Sequence, residues 1–345
     1  MPSIKHTGFA ACLVLAACGD STGDDDGAAA GTTGQPSVAT GNASPSTSAA
    51  TSSTPTEEPA TSGPGETDEP PETTEGADSS GGDDGPMPSA GCGNARPPSG
   101  SLQMQVQGQT GEYIVSLPPD YDPQTPYPLG FAFHGRNRTG PNCMGGDCAG
   151  FQSTMSDHAV LVYMTSMGGT GWEGDGEREL NVEFFELVLE QITSETCIDE
   201  STIFSAGTSS GAHFTNILGC RFGDRLIAIS PVAGVLPEGD GCVGRSAALV
   251  IHGYADPHVV PENGATARDF WRDRNGCSDE TDVPISEVHD MVANNPETHA
   301  CATYQGCDPG LPVVWCEHSE GGYDGSTHGW PLFAGEAIWE FVQAL

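Results

Sequence analysis

From about residue 92 onward, short runs of apolar residues alternate with longer segments whose apolar side chains recur every three or four positions. The short runs predict strands, and the longer spacing predicts amphipathic helices. Predicted strands are 113–117, 129–133, 160–164, 202–205, 226–229, 247–251 and 313–315, and predicted helices are 181–193, 210–222, 265–274 and 333–345. This alternation predicts an α/β domain over 92–345, with a mostly parallel central sheet and helices on both faces.

The first residues have the layout of an export signal. Lys5 supplies a positive charge, and an apolar stretch from Phe9 to Ala17 follows it. The stretch is too short to span a membrane, so 1–17 is predicted to be a signal peptide. Its end, Leu-Ala-Ala-Cys, resembles the lipobox of bacterial lipoproteins. The resemblance implies cleavage before Cys18, a lipid on its thiol and, with Gly19 next, an outer-membrane location. The alternative is an ordinary signal peptide with an incidental cysteine.

Residues 18–91 are predicted to be a disordered linker. After the cysteine, Ser, Thr, Gly, Pro and Ala dominate, and 14 acidic residues occur without a single Lys or Arg. Such a segment cannot bury enough apolar surface to offset the entropy of ordering. A flexible chain of this length spans roughly 50 Å, which suits a tether between a lipid anchor and a folded domain.

The charge of the chain excludes several classes of function. Acidic residues number 48 against 11 basic ones, for a net charge of −37. Nucleic-acid binding requires a stripe of Lys and Arg, and anionic membrane surfaces attract basic segments, so neither partner is expected. No apolar run reaches the 18 or so residues of a spanning helix. The excess acid is interpreted as a solvated surface.

The cysteines predict a disulfide-bonded domain. An even number of cysteines in an exported domain is typical of disulfides, here up to five. Neither a CxxC pair nor zinc-finger histidine spacing is present, so no metal site is expected. Cys143 and Cys148 are the expected local pair, and the other pairings stay open. The ten cysteines are Cys92, Cys143, Cys148, Cys197, Cys220, Cys242, Cys277, Cys301, Cys307 and Cys316.

A candidate nucleophile lies in the GxSxG motif Gly207–Gly211, which follows the strand STIFSA and begins a predicted helix. This strand–turn–helix placement is that of a nucleophile elbow, in which small flanking residues allow a tight turn that exposes the serine hydroxyl. Ser209 is therefore the predicted nucleophile. The alternative is a glycine-rich turn with a capping serine.

A serine nucleophile needs a base and a group that orients the base, in the chain order serine, acid, histidine. Asp256 follows the strand AALVIHG directly and is the predicted acid, although an ordinary Asp-Pro turn is the alternative. His328 lies in a glycine-rich loop before the last helix and is the predicted base. His318, at the end of the preceding strand, is the second candidate for the base.

The oxyanion of an acyl-transfer intermediate also needs hydrogen-bond donors. The backbone N–H of Ser210, directly after the nucleophile, is one predicted donor. The loop after the strand LGFAF holds the other, and Arg136 N–H is selected because Gly135 allows the backbone to turn inward. His134 is predicted to be structural.

Several motifs resemble, in order, the polyhydroxybutyrate-depolymerase and feruloyl-esterase group of α/β hydrolases, similar to carbohydrate esterase family 1. They are PLGFAFHGR, STIFSAGTSSGAHFTNILGCRFGDRLIAISPVAG, LVIHGYADPHVVP, ARDFWRDRNGC and TYQGCDPGLPVVWCEH. The likeness covers roughly residues 95–345 and is greatest to the secreted feruloyl esterases. It implies an α/β-hydrolase fold and catalytic roles for Ser209, Asp256 and His328.

These observations predict a surface-tethered serine esterase that works through an acyl-enzyme without a cofactor. The expected substrate is a hydroxycinnamate ester of plant cell-wall polysaccharide, with Trp172 and Trp330 as contacts for a planar acyl group unless they are core residues. Alternatives are a polyhydroxyalkanoate depolymerase, an acetylxylan esterase, or a surface binding lipoprotein with an inactive hydrolase fold. The oligomeric state stays open.

Overall fold

A computed structural model describes residues 85–174, 176–236, 242–295, 298–321 and 326–345. Their centre is a nine-stranded sheet in the order β1-β2-β4-β3-β5-β6-β7-β9-β8. The strands are β1 (Gly100–Val106), β2 (Gln109–Ser116), β3 (Tyr127–Phe133), β4 (Val160–Thr165), β5 (Ile198–Thr208), β6 (Ala228–Val232), β7 (Ala247–Gly253), β8 (His299–Thr303) and β9 (Val313–His318).

The described helices cover both faces of this sheet. They are α1 (Gly140–Asn142), a π-helical turn (Cys143–Asp147), α2 (Phe151–Met155), α3 (Arg178–Glu195), α4 (Ser210–Arg221), α5 (Pro261–Arg274), α6 (Ile285–Ala293) and α7 (Ala334–Gln343). Successive side chains of a strand point to opposite faces. Phe131 and Phe133 accordingly pack in a core with residues of α3, α4 and α5, whereas Ala132 packs in a second core with residues of α2 and α7.

The six central strands, β3 to β7 and β9, run parallel. They are rich in apolar residues because helices bury them from both sides. At one edge, β1 and β2 form an antiparallel hairpin whose two-residue turn has positive φ at both Gln107 and Gly108, which matches the twist of the strands. At the other edge, β8 is antiparallel to β9. The predicted α/β class and mostly parallel sheet are confirmed.

All seven predicted strands and all four predicted helices are present, with shifted ends. The prediction for 226–229 is displaced, since the strand covers Ala228–Val232. Strands β1 and β8 and helix α6 were not predicted. Edge strands are buried on fewer sides, so a polar sequence such as GSLQMQV lacks the apolar run of a central strand.

The folded domain begins before residue 92, where the linker was predicted to end. Met87 N–H donates to the Asp199 carboxylate at 2.8 Å, and the Ser89 hydroxyl donates to the Thr196 carbonyl at 2.8 Å. Gly91 packs so closely on Thr196 that a Cβ there would collide with its backbone. Hydrogen bonds and close backbone contacts need no apolar side chain, which is why the composition of 85–91 still looked like linker.

The predicted signal peptide 1–17, Cys18 and the rest of the linker lie outside the described residues. Within the part of the chain that the structure does describe, none of the helices has the length and apolar character needed to cross a bilayer.

Five disulfides pair all ten cysteines of the domain, which confirms the predicted number. The expected local pair Cys143–Cys148 is among them and closes the π-helical turn. The longest link joins the N-terminal segment to the residue before β5. The bridges are Cys92–Cys197, Cys143–Cys148, Cys220–Cys242, Cys277–Cys307 and Cys301–Cys316.

Candidate active site

Ser209 occupies a strained turn between β5 and α4. Its φ of 54° and ψ of −117° are unusual for a residue with a side chain, and such strain is characteristic of a nucleophile elbow. The two glycines of the motif are required by space. A Cβ at Gly207 would collide with the Gly211 carbonyl, and one at Gly211 would collide with the Phe133 backbone. The turn is therefore tight enough to hold the Ser209 hydroxyl clear of the strand end.

The structure brings Ser209, His328 and Asp256 together in the predicted order. Ser209 Oγ lies 3.0 Å from His328 Nε2, and His328 Nδ1 lies 2.7 Å from Asp256 Oδ2. A carboxylate only accepts hydrogen bonds, so Nδ1 carries the ring proton and Nε2 is free to accept the serine proton. This is the contact geometry of a nucleophile, a general base and an orienting acid.

Asp256 is held in place and kept ionised by its surroundings. Burial alone would raise its pKa, but the hydrogen bond with His328 and those from the backbone N–H groups of Val259 and His258 lower the pKa below its ordinary value. The two backbone bonds to Oδ1 are 2.9 and 2.8 Å long and leave Oδ2 for the imidazole. A negative charge at this position stabilises the imidazolium that forms when His328 takes a proton.

The other two histidines considered from the sequence lie elsewhere. His318 is fully buried on β9, packs beside Phe333 and does not line the cavity at Ser209; burial lowers its pKa to about 4. His134 is also fully buried, and burial lowers its pKa to about 4. His134 Nδ1 lies 2.7 Å from the Gly135 carbonyl, and its Nε2 accepts from Ser166 N–H at 3.1 Å. His134 is therefore a neutral structural residue, as predicted.

A cavity of about 490 Å³ opens at Ser209 and His328. It lies where β3, β5 and β7 end, which is the usual position for a site in a parallel sheet. Its size fits a small ligand. The lining residues are Arg136, Asn137, Glu173, Ser209, Ser210, His213, Val235, His258, Val259 and His328. A larger cavity of about 920 Å³, between the start of β5 and α7, contains none of the predicted catalytic residues.

Arg136 and Ser210, the predicted oxyanion donors, both line the cavity with Ser209. Gly135 approaches the elbow closely, since a Cβ added there would lie 3.6 Å from the Ser209 Cβ. The loop after β3 thus lies beside the nucleophile, where a second donor is needed. The role of the two backbone N–H groups remains a prediction.

The prediction that Trp172 and Trp330 contact substrate is wrong, because both are core residues that do not line the cavity. Trp172 is fully buried, stacks on Phe214 at 4.8 Å and donates its Nε1–H to the His134 carbonyl at 2.9 Å. Trp330 donates its Nε1–H to the Ala149 carbonyl at 2.8 Å. Both indole N–H groups are satisfied inside the protein, which the sequence does not reveal.

Six of the ten residues that line the cavity were not predicted, and three of these six have titratable side chains. The Glu173 carboxylate accepts hydrogen bonds from the Ser210 hydroxyl and from Trp172 N–H and forms an ion pair with Arg136. His213 and His258 contribute imidazole rings, and His213 Nε2 has no hydrogen-bond partner among the described residues. His213 and His258 fall within motifs of the family resemblance, but nothing in those motifs marks either residue as part of the cavity. Glu173 occurs in the acid-rich run WEGDGE, where nothing distinguishes it from its neighbours.

Comparison with known proteins found relatives among curated esterases. The chain is 30% identical over 265 residues to feruloyl esterase C of Emericella nidulans, covering 74% of this chain and 91% of that protein. It is also 30% identical over 263 residues to a probable feruloyl esterase C of Aspergillus niger, covering 74% of this chain and 91% of that protein. No family model matches the chain.

Solved structures share the fold. An acetyl xylan esterase from Aspergillus awamori aligns with a TM-score of 0.52 and 16% identity, covering 71% of this chain and 99% of that one. A thermostable esterase aligns with a TM-score of 0.51 and 17% identity, covering 70% of this chain and 62% of that one. At these identities the likeness concerns the α/β-hydrolase fold alone, which is the fold predicted from the sequence.

Proposed function

The chain belongs to the feruloyl esterase family, and on this basis we propose that it hydrolyses ferulate and related hydroxycinnamate esters of plant polysaccharides. The observation that carries the chemistry is the contact chain from Ser209 Oγ through His328 to Asp256 at the cavity. It is the arrangement required for nucleophilic attack on an ester carbonyl.

The proposed reaction has two halves. His328 Nε2 takes the Ser209 proton while Oγ attacks the ester carbonyl, and the backbone N–H groups of Ser210 and Arg136 bind the resulting oxyanion. Collapse of the intermediate breaks the bond to the alcohol, which leaves with the proton from His328. Water then gives a proton to the same imidazole and attacks the acyl-enzyme; the bond between the acyl carbon and Ser209 Oγ breaks, Oγ takes the proton back from His328, and the acid leaves. Asp256 accepts the Nδ1–H of His328 throughout, which orients the neutral ring and stabilises the imidazolium, and no step requires a cofactor.

A substrate panel tests the proposed acyl group. We expect methyl ferulate to be cleaved with a higher kcat/KM than p-nitrophenyl acetate, and hydroxybutyrate oligomers to be cleaved poorly. A cavity selects an acyl group by differential binding of the transition state, so kcat/KM is the quantity to compare. The Ser209→Ala protein is the blank for each ester.

Two results would contradict the substrate proposal. Faster cleavage of hydroxybutyrate oligomers would indicate a polyhydroxyalkanoate depolymerase, and activity confined to acetyl esters would indicate an acetylxylan esterase. Absence of hydrolysis of every ester, with a folded protein, would indicate a binding protein that keeps the hydrolase fold.

We further propose that the esterase domain is tethered to a bacterial membrane through lipidated Cys18. The support is the Leu-Ala-Ala-Cys end of the apolar stretch and the acidic Ser/Thr/Gly/Pro segment after it. Two signals are usually needed for stable anchoring by fatty chains, and a diacylated cysteine supplies two chains. The segment that follows is long enough to hold the active site away from the lipid surface.

Replacing Cys18 with serine is expected to release the esterase from the membrane fraction while its turnover of p-nitrophenyl acetate per molecule stays the same, because the active site lies in the separately folded domain. Fractionation of cells followed by esterase assay and immunoblotting measures both. Cys12→Ser is the matched control, since Cys12 lies inside the apolar stretch and should leave anchoring intact. Tight membrane association of the Cys18→Ser protein would overturn the anchor proposal.

A further inference from the structure

We propose that Glu173 is a positioning residue that holds the two oxyanion donors, Arg136 and Ser210, in their working geometry. The inference rests on the proposed esterase function and adds a residue to its site. Glu173 lies in the loop 170–173 between β4 and α3, and this loop carries neither the nucleophile, the base nor the acid.

One carboxylate contacts both residues whose backbone N–H groups are assigned to the oxyanion. Glu173 Oε1 pairs with the Arg136 guanidinium, and Oε2 accepts from the Ser210 hydroxyl. Oε2 also accepts from Trp172 N–H at 3.1 Å, while the Ser210 hydroxyl oxygen accepts from the same N–H at 2.9 Å. Glu173 therefore links the loop after β3, the elbow before α4 and its own loop.

The loop that carries Glu173 is itself fastened to the loop after β3. Asn137 N–H donates to the Thr170 carbonyl at 2.7 Å, and Trp172 Nε1–H donates to the His134 carbonyl at 2.9 Å. A Cβ added at Gly171 would lie only 2.7 Å from Ser210 Oγ, so the same loop also lies directly against the elbow. Glu173 thus projects from a loop that is held in position both by the loop after β3 and by the elbow.

The charge of Glu173 is compensated locally. Burial would raise its pKa, but the Ser210 hydroxyl, backbone N–H groups and the positive Arg136 together lower the pKa below its ordinary value, so the carboxylate is ionised at neutral pH. An unpaired carboxylate beside the developing oxyanion would repel its negative charge. The paired Arg136 guanidinium opposes that repulsion, and what Glu173 contributes is the placement of the two donors.

Glu173 acts through other residues, not on the substrate's reacting atoms. Among the described residues, its hydrogen bonds go to Ser210, Trp172 and Arg136, and none goes to Ser209 or His328. Loss of one donor from an oxyanion hole costs about 10²–10³-fold in kcat. Removal of the Glu173 carboxylate would loosen both donors without removing either. Its effect on kcat should therefore be smaller than the effect of losing one donor completely.

The first test measures the split between kcat and KM for p-nitrophenyl acetate, which does not depend on the ferulate assignment. Glu173→Ala is expected to lower kcat by about 10–100-fold with little change in KM, because oxyanion contacts form only in the transition state. Glu173→Gln keeps an oxygen acceptor for Ser210 and should restore most of the rate. Glu179→Ala, which breaks a bidentate pair with Arg221 away from the cavity, is the matched control and should leave kcat unchanged.

A phosphonate ester tests the same contact without turnover. Ser209 Oγ displaces p-nitrophenolate from p-nitrophenyl ethyl ethylphosphonate, its proton passes to His328, and the adduct's phosphoryl oxygen occupies the oxyanion position. The rate of p-nitrophenolate release is expected to fall with Glu173→Ala in proportion to kcat. Ser210→Ala should lower it as well, and the double variant should be little slower than the slower single one, since both remove the same hydrogen bond.

The outcomes separate this inference from the proposed function. If the wild-type protein turns over esters and Glu173→Ala folds with unchanged kcat and phosphonylation rate, the positioning role is wrong and the esterase stands. A larger KM with unchanged kcat would also contradict it, because Glu173 would then act on ground-state binding. If the folded wild-type protein neither cleaves esters nor reacts with the phosphonate, the proposed function fails and this inference fails with it.

Discussion

Ser209→Ala is expected to lower kcat/KM for p-nitrophenyl acetate by about 10⁴–10⁶-fold, because the acyl-enzyme can no longer form. His328→Ala should cost a similar factor, since without a base the hydroxyl that lies 3.0 Å from Nε2 keeps its proton. Asp256→Asn should cost somewhat less, because it leaves nucleophile and base in place but favours the wrong imidazole tautomer. Steady-state kinetics of each purified variant measures these effects.

Substitutions in groups that act as a unit have non-additive effects on kcat/KM. The Ser209→Ala/His328→Ala double variant is therefore expected to be hardly slower than either single variant. His318→Ala serves as the control for the second histidine. It removes a fully buried ring that does not line the cavity, so turnover per folded molecule should persist even where the melting temperature falls. Activity in His328→Ala together with inactivity in folded His318→Ala would show that the base is misassigned.

Removing the Cys92–Cys197 bridge is expected to destabilise the domain more than removing any other bridge. It closes a loop with a sequence separation of 105 residues, the longest of the five, and the chain-entropy relation gives about 5 kcal/mol for a loop of that length. The Cys143–Cys148 bridge, with a separation of 5 residues, gives about 2 kcal/mol by the same relation. Urea unfolding of the paired Cys→Ser variants measures the difference in free energy of unfolding.

Thiol titration supplies the control for this comparison. The wild-type domain should show no titratable thiol when denatured without reductant, because all ten of its cysteines are paired. Two or more free thiols would contradict the pairing. An equal loss of stability for the long and the short bridge would show instead that loop length does not govern the stabilisation in this protein.

The central strands and the elbow were predictable because their signals are local. A strand buried on both faces must be a nearly continuous apolar run, as in β3 and β4, and a tight turn after such a strand must use glycine, as at Gly207 and Gly211. Asp256 and His328 were identified by their places in the chain order relative to strand ends. The number of disulfides followed from an even cysteine count in an exported domain.

Other features depend on contacts between distant segments, which no local pattern records. The edge strands and residues 85–91 are held by hydrogen bonds and close backbone contacts that need no apolar side chain. Four of the five disulfide pairings stayed open until the structure showed them, since cysteine spacing alone does not determine pairing.

Burial of a parallel sheet and the geometry of a tight turn constrain residue types locally, so the α/β architecture and the three catalytic candidates after its strands could be predicted before the fold was known. The directions of the loop side chains were fixed by folding alone. Folding turned Trp172 and Trp330 into the core, where their indole N–H groups find carbonyl partners, and placed Glu173 between Arg136 and Ser210. A loop side chain takes its direction from whichever distant groups satisfy its polar atoms, and those groups come together only when the chain has folded.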